Sequence, residues 1–178
     1  GLSHYGGDPV ALCRAVQVGG YDAVFAEAAQ SKGMPVRDLV EEIMAGKYLD
    51  PDKPDFDASI RHIAADDIAM RESGHDTSAR LVGSASVLAS VDLNSLLYKA
   101  EKDLGLDDEA GRRQDAMCRL MWDGERGVFF DYDTEKEGKS SFLAPSGVVY
   151  PLWAGLASPE QANKLRDTLV RELEKPGG

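Results

Sequence analysis

Apolar side chains recur at three- and four-residue spacing through almost the whole chain, in segments closed by glycine or proline. That repetition admits little besides packed helices. Asp8-Pro9 reads as an N-cap followed by proline at the first helical position, and Gly19-Gly20 stops that segment. Tyr21 to Ser31 carries Val24, Phe25 and Ala28 at helical spacing and ends at Gly33. Pro35 opens the next helix, with Leu39, Ile43 and Met44 on one side, and a loop with Pro51 and Pro54 fills Asp50 to Asp57. Ile60, Ile63, Ala64 and Ile68 then form an apolar stripe. Further helices are expected over Val87 to Lys102, Asp108 to Trp122 and Gly147 to Leu156. A last one opens at Ser158-Pro159-Glu160-Gln161, where serine caps and glutamine reaches back. The one β signal is Gly127 to Asp133, a short strand or extended segment.

Helices joined in pairs by short turns predict an all-α fold of stacked helical hairpins. No fixed sequence period marks a solenoid, and no low-complexity linker marks a boundary, so residues 1–178 read as one segment. The chain starts abruptly at Gly1 and stops at Pro176-Gly177-Gly178 without polar tails, as expected of a piece of a longer protein. Twenty Lys and Arg against 31 Asp and Glu give a net charge of −11. That balance disfavours nucleic acid and anionic membrane as partners, whereas a neutral sugar is indifferent to it. The two cysteines, Cys13 and Cys118, lie in helical apolar patterns and read as reduced core residues of a cytoplasmic protein. Neither a membrane-length apolar run nor a basic-then-apolar leader occurs in these residues.

One stretch departs from this pattern. MRESGHDTSARL, residues 70–81, has no apolar periodicity of its own and sets Glu72 and Asp76 on either side of Gly74, with Arg71 beside the first. Two carboxylates on irregular backbone can serve acid–base chemistry if one is kept protonated by its surroundings. Arg71 would then orient a substrate hydroxyl or fix Glu72, and Gly74 would let a ligand approach the backbone. The plainer alternative is a solvated helix end whose charges merely pair. His75-Asp76 also allows a divalent-metal site completed by His4 or His62, but a lone His-Asp dipeptide is weak support. The cysteines have no close spacing to a histidine, and Gly6-Gly7 and Gly19-Gly20 read as turns, so neither a metal nor a cofactor is expected.

Four blocks, RESGHDTS (71–78), VDLNSLLYKAE (91–101), MWDGERGVFFDYD (121–133) and LWAGLASPEQANKL (152–165), resemble the trehalases of glycoside hydrolase family 37, in their order and spacing. The resemblance is narrower still to the fungal neutral, cytosolic branch; GLSHY at the start resembles, more weakly, the segment leading into this region. It implies an (α/α)₆ toroid and hydrolysis of α,α-trehalose with inversion. Asp76 matches the aspartate that protonates the glycosidic oxygen, and Arg71 and Gly74 match positions against the sugar. Glu72 and His75 fall in supporting places, Glu72 backing Arg71 or raising the pKa of Asp76. An inverting enzyme needs a second carboxylate about 6.5–9.5 Å from the acid. Glu72 sits too near Asp76 in sequence to reach the other face of the sugar. The family's base, a downstream glutamate, and its tryptophan-rich signature lie outside these residues. The remainder of the catalytic domain is therefore an implied partner. A calcium-binding regulatory region and phosphorylation-dependent partners are also implied for the branch, and nothing in this chain encodes them.

The chain departs from the family pattern at Ala79 and Ala100, where aromatics are usual, and at Val82 and Val87, where acids are common. These changes bear on the grip on sugar more than on fold. Asp92 and Asn94, polar in an apolar helix, are expected to be satisfied hydrogen-bonders, with bracing of the acid-bearing loop as the alternative. Trp122, Phe129, Phe130 and Trp153 could stack on pyranose faces or fill the core, core packing being the better reading of the two phenylalanines.

Overall fold

A computed structural model describes residues 1–7, 23–75 and 79–174. The chain divides into two compact units, Tyr5–Ser86 and a second made of Gly1–His4 with Val87–Gly178. The helix expected after Asp8, and Cys13 within it, lie outside the described residues.

In the smaller unit α1 spans Ala26–Lys32 and is closed by Gly33, whose φ of 67° places it in the left-handed region as expected of a C-cap. Helix α2 (Val36–Met44) follows Pro35, which takes the N-cap position in extended geometry. The third helix, α3 (Ala58–Ser73), starts at Asp57, whose carboxylate accepts from the amides of Ser59 (3.1 Å) and Ile60 (3.2 Å). The predicted stripe is buried: Ile60, Ala64 and Ile68 pack with Phe25, Leu39 and Ile43. Polar contacts tie the α2–α3 loop to this core. Lys32 pairs with Asp57 at 2.9 Å and lies 4.5 Å from the centre of the Tyr48 ring. Tyr48, held at φ 70°, donates its hydroxyl to Glu42.

The larger unit holds α4 (Val91–Asp103), α5 (Asp107–Leu120), α6 (Ser146–Trp153) and α7 (Pro159–Thr168), the last running into one π-helical turn at Leu169–Leu173. Helix α4 packs on both α5 and α6, and Met117, Met121, Phe129, Val148, Leu156 and Leu165 centre its core. Ser158 and Gln161 form the expected capping box. Extended structure goes further than the single segment at 127–133. Strands β1 (Leu88–Ala89), β4 (Tyr132–Asp133) and β5 (Gly138–Lys139) make one antiparallel sheet, and β2 (Trp122–Asp123) pairs with β3 (Val128–Phe129) in another. The extended run is thus shared between two sheets. Asp123 and Asp133 each turn the chain in the same way, accepting from the amides two and three residues on. Because Leu88 and Ala89 pair with Asp133 and Tyr132, α4 begins at Val91 and not at Val87.

Asn94 is fully hydrogen-bonded inside this unit. Its Oδ1 accepts from the Ser3 amide (2.8 Å) and Arg113 Nη1 (2.9 Å), while Nδ2 donates to the carbonyls of Ser3 and Ser90, both at 2.8 Å. Arg113 also grips Glu101 with Nε and Nη2. Asn94 is therefore a structural clasp on the chain's first residues, the first of its two expected readings. Asp92 caps the Leu93 amide of its own helix, and Asp131 accepts from Val91 N at 2.9 Å.

Candidate active site

Helix α3 delivers the singular stretch. Its buried stripe fixes how it rolls on the core, and that roll sets His62, Asp66, Asp67 and Met70 along an open cleft of about 350 Å³. The helix ends where the charges begin. Gly74 adopts φ 69° and its amide bonds the Arg71 carbonyl at 3.2 Å. An added Cβ would meet open space there, so it is the left-handed backbone that calls for glycine. The Ser73 hydroxyl donates to the Met70 carbonyl (2.6 Å) and accepts from the His75 amide (3.0 Å), which sets the direction in which the chain leaves the helix.

Arg71, Glu72, Gly74 and His75 therefore gather at one helix terminus, as the sequence predicts. Asp76 lies outside the described residues. Arg71 donates its Nε–H to Asp67 Oδ2 at 2.6 Å, one turn back. Glu72 is exposed and its Oε2 accepts from the Gly6 amide at 3.0 Å. Gly7 lies so close to α3 that a Cβ would come within 2.6 Å of Ile68 Cγ2. Asp66, largely buried, accepts from both the amide and the hydroxyl of Ser86 at 2.9 and 3.2 Å, and His62 Nε2 lies 3.4 Å from the Gly83 carbonyl. Segment 79–86 thus folds back along α3.

Asp67 is the residue that reading the motif alone passes over. The signal for it was present, since an acid four residues before an arginine on a helix is a favourable pair. Among the described residues, no three His, Cys, Asp or Glu side chains gather as a metal ion would need. The four aromatics considered for sugar stacking divide. Trp122 packs on buried Phe129 at 4.9 Å between ring centres, Phe130 is buried beside Arg126, and exposed Trp153 meets Tyr150 edge-on.

The fold is of the (α/α)₆ class. A solved structure, the neutral trehalase Nth1 of Saccharomyces cerevisiae, superposes with a TM-score of 0.76 and 31% identity over 89% of this chain and 32% of that one. The sequence model of the family described as trehalase matches residues 50–178. The chain belongs to the trehalase family. The cytosolic neutral trehalase of Saccharomyces cerevisiae is 32% identical over 202 residues, covering all of this chain and 26% of the relative. That of Emericella nidulans is 30% identical over 210 residues, covering all of this chain and 27% of the relative. This chain spans about a quarter of the length of such relatives. No helix among the described residues is long and apolar enough to cross a membrane.

Proposed function

We propose that the full-length protein containing this chain hydrolyses α,α-trehalose to two glucoses with inversion, and that this segment supplies the proton donor, Asp76. The observation that supports it most is the family match across residues 50–178, which takes in all of α3 and the loop that follows. On this reading Asp76 gives its proton to the oxygen bridging the two sugars. Arg71 and Gly74 face a glucose unit from the end of α3, and Glu72 and His75 shape the loop around them. Glu72 is not the base. It is bonded to Gly6 and sits only four residues from the acid, whereas the attacking water needs a carboxylate across the sugar, about 6.5–9.5 Å away. That base belongs to the rest of the catalytic domain, the partner that completes the pocket. On this reading both compact units are parts of that one domain, which is supported by a matched span that runs through Ser86 and Val87. The names of the cytosolic relatives support a cytoplasmic location.

The test follows glucose release from trehalose by the full-length protein and its Asp76→Asn variant. The substitution is expected to remove about two to four orders of magnitude of turnover, as loss of a general acid does, with helicity by circular dichroism unchanged. Undiminished activity in D76N would discard Asp76 as the donor. A wild type that splits maltose or kojibiose in preference would move the protein to another α-glucosidase specificity. One that binds trehalose without turnover would make it a sugar-binding relative.

A further inference from the structure

We infer that Asp67 is a positioning residue of this site, holding the Arg71 guanidinium in the direction from which it meets the sugar; the inference rests on the sugar-binding reading of Arg71. The two side chains are neighbours on α3 at i, i+4, and the contact runs from Nε to Oδ2 at 2.6 Å. They keep only 28% and 17% of their surface exposed, so the pair is partly enclosed and less screened than an ordinary surface ion pair. The order, acid before base, is the favourable one on a helix, and the cation sits in the last turn, where the helix dipole welcomes it.

Two nearby acids among the described residues have other contacts. Asp66 is bonded to Ser86 and Glu72 to Gly6, while the Asp67 carboxylate accepts the Arg71 Nε–H. The guanidinium is planar, with five N–H donors in fixed directions. A carboxylate on Nε therefore fixes one edge of that plane and with it the aim of Nη1 and Nη2. A long side chain that would otherwise sample many rotamers is ordered before substrate arrives, and that saves binding energy. Asp67 needs no contact with sugar to do this. Its effect passes through Arg71, and that gives it a signature.

The experiment measures kcat and KM for trehalose with the full-length protein and its D67N, R71K and D67N/R71K variants. D67N is expected to raise KM about ten- to hundred-fold, the usual range for loss of a supporting partner, with a smaller change in kcat and the wild-type circular dichroism spectrum. In the R71K background, the added D67N change is expected to cost less than about two-fold, because the group it positions has gone. Unchanged KM in D67N overturns the inference, and so do losses that multiply in the double variant. Should D67N fail to fold, Asp67→Ser carries the same comparison. A wild type that neither cleaves nor binds trehalose sinks the trehalase reading and this inference with it. Cleavage by the wild type with indifferent D67N kinetics sinks this inference alone.

Discussion

At Gly147, in the first turn of α6, an added Cβ would fall 2.1 Å from the Phe129 carbonyl oxygen. Helix propensity alone favours alanine over glycine by about 1 kcal/mol. Here backbone meets backbone, which cannot move aside as a side chain can, and the sign reverses. Gly147→Ala is expected to destabilise the chain by about 2 kcal/mol or more, read as a lower urea midpoint. Nothing local in the sequence announces this, because the clash comes from a strand eighteen positions away. The candidate site divides in the same way. That Arg71, Glu72, Gly74 and His75 share a helix end is legible from where the apolar stripe stops. The Asp67–Arg71 pair is legible from its spacing. The Gly6 amide on Glu72 spans 66 residues and is not.

Among the elements, α3 shows how much a cap can carry. The Asp57 carboxylate binds two amides of the first turn and the Lys32 ammonium. Lys32 first, and then those amides, hold its pKa below the ordinary 3.8. A depressed carboxyl stabilises the fold above its unfolded-state pKa, and the benefit disappears as pH falls through the folded value. Asp57→Ala is accordingly expected to cost about 1–2 kcal/mol near neutral pH. Its difference from wild type should narrow in denaturant melts below about pH 4. A gap that stayed constant down to pH 2 would exclude the charged cap as its source. The helices were legible because caps, glycine stops and apolar stripes are local. Strand β1 was hidden, since Leu88 and Ala89 continue the apolar pattern of α4 and only the distant β4 draws them into a sheet.

At the scale of the whole molecule, the proposed division of labour puts the acid in this chain and the carboxylate that would activate water in the rest of the catalytic domain. The purified 178-residue chain is therefore expected to release no glucose from trehalose above background. Stoichiometric release by this chain alone would mean that the base lies within it. The two-unit arrangement has a second consequence. Asn94 closes on Ser3 across 91 residues, a span that contains the smaller unit entire. During synthesis, Ser3 leaves the ribosome long before Asn94 and Arg113 exist to receive it. Ser3 and its neighbours are therefore made before the smaller unit yet secured by the larger one only after it.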